Sequence, residues 1–150
     1  MFIYLPARCY NVSMTDLEKA IGLLTGDLTC VLVKGDTVYT SDKKGIAPLI
    51  GFINEGRDLK GFSVADRIVG KAAASLIIHA GIKEAYGEIM SEKGMDKLDE
   101  YDIPYSFKTK VPRIINRRGD DICPMEKTVQ DIDDPKEAYL ALNEKIKSLM

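Results

Sequence analysis

The sequence predicts an α/β fold, with helices in layers around a mixed sheet of four to five strands. Three observations predict it. Segments with helical periodicity alternate with short β-branched runs along the chain. Hydrophobic residues make up 45% and charged residues 29% of 150 residues, the balance of a single globular domain and not of a disordered chain. No apolar run approaches the roughly 18 residues that a membrane-spanning helix needs.

The elements follow in order. Thr15 and Glu18 form a T-x-x-E capping box, and Leu17, Ala20, Ile21 and Leu24 then share one helical face. The segment before Thr15 reads as an extension, either loose or an edge strand. Cys30-Val31-Leu32-Val33 is a buried strand on length and β-branching. Lys34-Gly35-Asp36 turns it into a second strand over 37–41, giving a hairpin. A short helix over 46–53 carries Pro48 in its first turn. Residues 64–80 read as one long central helix, with Asp66 in its first turn and Gly70, Ala72, Ala73 and Ala74 making it thin. Its one polar stripe would be Arg67, Lys71, Ser75 and His79. A strand over 83–90, a helix over 92–101 and a half-exposed strand over 105–110 follow. Cys123-Pro124-Met125-Glu126 opens a short helix, and Asp134-Pro135-Lys136-Glu137 caps the last one.

Charge and cysteine usage narrow the function. Twenty-one basic against 23 acidic residues give a net charge of −2, which argues against a dedicated nucleic-acid or anionic-membrane surface. Three cysteines without a C-x-x-C motif, and no signal-peptide pattern, point to a reduced cytoplasmic protein. The Asn11-Val12-Ser13 sequon reads as chance in that setting. No cofactor motif is present. Gly70-Lys71 is not a P-loop, because Ala65 stands at the upstream glycine position. Ser41-Asp42-Lys43-Lys44 matches S-x-x-K, but at a strand end. His79 lacks partners at ligand spacing and reads as a surface or structural residue.

Cys123 is the leading chemical candidate. A helix start favours a thiolate, and Arg113, Arg117 and Arg118 would add to that field. The alternative is an ordinary small residue at a helix start. Asp66 by itself reads as an ordinary first-turn acid that the dipole favours, and Lys71, among small and apolar neighbours, reaches either an anion or solvent. Ligand contacts are expected from Lys71, Ser91, Glu92, Asn116 and Arg113, with no metal and no cofactor.

Residues 61–98 resemble the core of the cytidine-deaminase-like superfamily. Val64-Ala65-Asp66-Arg67 takes the place of its H-A-E motif, and Ser91-Glu92-Lys93-Gly94-Met95 that of its P-C-x-x-C motif. Val64, Glu92 and Met95 replace the zinc ligands, while Asp66 retains a carboxylate at the proton-shuttling position. The chain from about Thr15 is further identified as a member of a small prokaryotic family of unknown function, an outlying branch of that superfamily lacking the zinc ligands. The matching segments are residues 64–74, Met90-Ser91-Glu92, Ile114-Ile115-Asn116-Arg117 and Cys123-Pro124-Met125-Glu126-Lys127. The resemblance implies a three-layer fold. It also implies that Asp66, Lys71, Ser91 and Cys123 gather at helix starts around one pocket, suited to a small, anionic or polar ligand. Two functions are expected from it. One is a cysteine-dependent, zinc-independent enzyme acting on a nucleotide-like or amide-containing metabolite, with Cys123 as nucleophile, Asp66 or Glu126 handling protons, and Lys71 with the Ser91 region orienting an anionic group. The other is a non-catalytic binding or sensor domain. A third, structural reading is a homo-oligomeric scaffold, since deaminase-like domains often associate.

Overall fold

The structure is a computed structural model and describes residues 14–149. The N-terminal extension, Cys9 and the Asn11 sequon lie outside the described residues. Among the described residues, six helices and five strands follow in the order α1 (Asp16–Leu23), β1 (Cys30–Lys34), β2 (Thr37–Ser41), α2 (Ala47–Asn54), β3 (Ser63–Val69), α3 (Lys71–Ala80), β4 (Glu84–Ser91), α4 (Glu92–Glu100), β5 (Tyr105–Val111), α5 (Pro124–Val129) and α6 (Pro135–Ser148). The chain is thus α/β with one mixed five-stranded sheet in the order β2-β1-β3-β4-β5. β1 runs antiparallel to β2 and β3, whereas β3, β4 and β5 are parallel.

Local signals build most of these elements. The Thr15 hydroxyl accepts from the Glu18 N–H at 3.1 Å, and the Glu18 carboxylate accepts from the Thr15 N–H at 2.9 Å, so the capping box forms as its spacing requires. Asp134 caps α6 through the Glu137 N–H, with Pro135 at the first helical position. β1 is buried along Cys30–Val33, as a β-branched run inside a sheet should be, while the edge strands β2 and β5 are largely exposed.

The core has two parts. Leu32, Val64, Ala85, Leu49, Leu76, Ile77, Leu98 and Leu142 belong to the larger cluster, which joins one sheet face to α2, α3, α4 and α6. Val31, Val33 and Ala65 pack against Ala20 and Leu24 of the α1 segment on the other face. Apolar surface removed from water stabilises the fold by roughly 25 cal/mol per Å², and the larger cluster holds most of the buried apolar residues.

One sequence expectation is corrected. Residues 64–80 are not one helix. Ser63–Val69 is strand β3, Gly70 is the extended N-cap (φ −109°), and the helix begins at Lys71. Val64-Ala65-Asp66-Arg67-Ile68-Val69 has no decisive local preference. Its strand state comes from pairing on both sides, with Cys30 opposite Asp66 on β1 and Gly87 opposite it on β4. Asp66 therefore lies inside the sheet and not in a first helical turn. Arg67 likewise leaves the polar stripe. Its guanidinium donates to the carbonyls of Gly26 and Leu28 and pairs with Glu88 at 2.8 Å, pinning the α1–β1 loop to the sheet. His79 stacks on Tyr139 with ring centroids 4.8 Å apart, a structural role.

The parallel strands finish at one level. Val69 aligns with Met90, and Ser91 with Val111, so β3, β4 and β5 deliver the starts of α3, α4 and the 112–130 segment to the same edge.

Candidate functional site

In parallel α/β sheets, the crevice beyond the carboxyl ends of the strands is where ligands bind. Here that crevice is a cleft of ≈ 120 Å³. Two helix starts form its frame. Lys71 opens α3, Ser91 caps α4, and Lys93 sits in the first turn of α4. The 112–130 segment supplies the other wall through Pro112, Arg113, Ile114, Ile122, Glu126 and Gln130.

The two helix starts meet because two glycines allow it. A Cβ on Gly94 would lie 2.9 Å from the Val69 carbonyl oxygen and 3.1 Å from the Gly70 carbonyl carbon, so only a hydrogen fits between the backbones. A Cβ on Gly70 would lie 2.4 Å from Glu126 Oε1 and 2.8 Å from Ile114 Cγ1. Gly70 thus makes room for a carboxylate.

Glu126 fills that space. Its Oε1 accepts from the Lys71 N–H at 2.9 Å, and its Oε2 accepts from the Ala72 N–H at 2.8 Å. These are N–H groups that a helix cannot satisfy internally, and the helix dipole favours an anion beside them. Burial pushes the Glu126 pKa above the usual carboxylate range. The two N–H bonds and the charges of Lys71 and Lys93 oppose that rise. Lys71 is fastened twice, since its Nζ also donates to the Gln130 carbonyl at 3.1 Å. Ser91 is fully buried and its Oγ accepts from the Gly94 N–H at 3.0 Å, which caps α4.

The sequence-predicted residues divide accordingly. Lys71, Ser91, Arg113 and Glu126 line the cleft together. Asp66, Glu92, Asn116 and Cys123 are not among its lining residues. Asp66 is buried in β3, where desolvation raises its pKa to about 7 against the pull of the Arg67 and Ile68 N–H groups. Its charge also helps to push up the buried Cys30 thiol, although burial is the larger cause. Glu92 is an exposed first-turn acid on α4. Asn116 builds a turn instead. Its side-chain carbonyl accepts from the Gly119 and Asp120 N–H groups at 2.8 and 3.2 Å, beneath a bridge between Ile115 and Ile122. Cys123 is the half-buried N-cap of α5, a helix of only six residues, and its N–H donates to the Ile114 carbonyl. Of the four residues that the resemblance gathers, Lys71 and Ser91 line this cleft. Asp66 sits on a strand and Cys123 lies outside the lining.

Lys93 was missed from the sequence. A signal existed, because a basic residue in a first helical turn opposes the dipole and calls for a reason. Gly70 gave a similar signal, standing directly before a helix-forming Lys-Ala-Ala-Ala run.

A second depression, ≈ 150 Å³, adjoins the first and shares Lys71 and Lys93 with it. Lys97, only 3% exposed, lies in its wall and donates to the Asp133 carbonyl, with Glu100 at 3.4 Å. Among the described residues, no three His, Cys, Asp or Glu side chains are placed to hold a metal ion. No helix among them is long and apolar enough to cross a membrane.

Comparison with known proteins gives a family. No curated protein matches the chain. A crystal structure of a DUF1893 family protein (TM1506) from Thermotoga maritima is similar to it, with 26% identity and a TM-score of 0.77 over 91% of this chain and 92% of that one. The model of the TM1506 family, a domain of unknown function (DUF1893), matches residues 19–146. With most of its length covered by that match and its fold shared with a solved member, the chain belongs to the DUF1893 (TM1506) family.

Proposed function

We propose that this chain is a small-molecule-binding domain whose ligand presents an anionic group to the cleft between α3, α4 and the 112–130 segment. The observation that carries this reading is the charge of the lining. Lys71, Lys93 and Arg113 converge there against the single carboxylate of Glu126. Two first-turn lysines are disfavoured by their helix dipoles, a cost that an anionic ligand offsets. The buried hydroxyl of Ser91 adds a hydrogen-bonding group beside them.

The reading keeps the deaminase-like, three-layer relationship as a proposal with a corrected register. Since α3 opens at Lys71, the positions that open the two helices are Gly70-Lys71-Ala72 and Ser91-Glu92-Lys93-Gly94-Met95. These residues do not fit a zinc site, which needs His, Cys or carboxylate ligands on both helix starts. Binding is favoured over cysteine-dependent chemistry because the lining offers cations and no thiol.

The test is an anion titration followed by amide NMR shifts. Inorganic phosphate and nucleoside 5′-monophosphates should perturb the amides of Lys71, Ser91 and Gly94. Lys93→Ala and Arg113→Ala should each weaken binding about fivefold, on the order of 1 kcal/mol for a lost charge contact. Equal affinity in the wild type and both variants would refute the reading.

A further inference from the structure

Two-thirds of the cleft lining comes from a single segment, residues 112–130, and that segment is fastened to one helical turn. Glu126 grips the Lys71 and Ala72 N–H groups with its two carboxylate oxygens, and the Gln130 carbonyl takes the Lys71 ammonium. The grip is sterically specific, because the space that a side chain at residue 70 would need is the space that Glu126 and Ile114 occupy. Beyond this fastening the segment is mostly exposed. Its turn is held by its own bonds, from Asn116 to Gly119 and Asp120 and from the Cys123 N–H to the Ile114 carbonyl. Val129, fully buried in the main core, and Met125, packed partly buried against it, anchor the far end through α5.

The cleft as it stands, ≈ 120 Å³, is well below the roughly 300–1,000 Å³ of ordinary ligand pockets. A ligand larger than its anionic head therefore needs the wall to move. Lys93 and Arg113 make no ion pair among the described residues, so neither is committed to closing the cleft.

We propose that Glu126 is a built-in occupant of the ligand's anion seat, a latch that the ligand's own carboxylate or phosphate displaces to release the strap formed by residues 112–128. This rests on the anion-binding reading above. The chemistry of the exchange is symmetrical. An incoming carboxylate or phosphate takes the same two N–H groups, keeps Lys71 and Lys93 beside it, and leaves Glu126 free to move into water. Val129, remaining in the core, would be the hinge.

Isothermal titration with inorganic phosphate, and separately with acetate, tests this on the wild type, Glu126→Ala and Glu126→Gln. Removing the competitor should tighten anion binding at least tenfold in Glu126→Ala. Glu126→Gln, which keeps one acceptor for the helix, should fall between it and the wild type. Whichever anion shows the larger gain identifies the head group. Circular dichroism checks that both variants fold, and hydrogen exchange on the wild type gives a reading free of mutation. Phosphate or acetate should speed exchange across 112–128. Unchanged or weaker binding in both variants, or slower exchange across the strap, overturns the latch. The two proposals separate cleanly. If Lys93→Ala and Arg113→Ala weaken binding while the Glu126 variants fail to tighten it, the latch alone is wrong. If no protein binds either anion, both are wrong.

Discussion

Replacing Asp66 with Asn should make the protein more stable at pH 8 and leave it nearly unchanged at pH 4. Asp66 is 3% exposed within β3, and desolvation holds its pKa near 7 against an ordinary value of 3.8. Between those values the folded state keeps a proton that the unfolded chain has lost. Stability therefore falls as pH rises from about 4 to about 7 and is level beyond either end. A rise from 3.8 to about 7, at about 1.4 kcal/mol per pH unit, amounts to about 4 kcal/mol. Asn keeps an oxygen for the Arg67 and Ile68 N–H groups and carries no charge to bury. At pH 8 the variant should gain several kcal/mol, or roughly 8–16 °C in melting temperature for a chain of this length. Guanidinium melts of both proteins from pH 4 to 8 measure it. Taking the difference between the two cancels the contribution of other groups whose proton affinity burial raises, such as Glu126. A difference independent of pH would refute the argument that burial, and not some local bond, sets the Asp66 proton.

Two further outcomes test the site's framework. Gly94→Ala should destabilise the protein by about 1–3 kcal/mol in denaturant melts, since its Cβ meets the backbone of Val69 and Gly70, which cannot swing aside. Cys123→Ser should leave phosphate affinity within about twofold, because a lost contact to a ligand costs on the order of 1 kcal/mol and Cys123 does not line the cleft. A larger loss would return the thiol to the site.

Parts of the site were legible because they are written locally. Lys71 stood out as a cation among small and apolar neighbours, Ser91 and Glu126 as polar residues at helix starts. Their convergence was not legible. The bonds from Glu126 reach back 55 and 54 residues, a separation at which no spacing rule operates. Asn116 was an expected ligand contact within a segment that carried the family resemblance, but its own turn uses its amide oxygen.

The sequence by itself determined the class of the protein and the edges of most elements. Caps at Thr15, Ser91 and Asp134 satisfy N–H groups within three residues, and the Cys30–Val33 run prefers a strand wherever it is buried. The tertiary structure decided β3, the raised proton affinity of Asp66 and the cleft. Residues 63–69 are a strand because β1 and β4 hold them on both sides, and Asp66 keeps its proton because those neighbours exclude water. Glu126 meets α3 because Gly70 leaves the space open. Local patterns specify which bonds a segment can make with itself. Only the packed chain specifies which groups lose water and which charges then face one another.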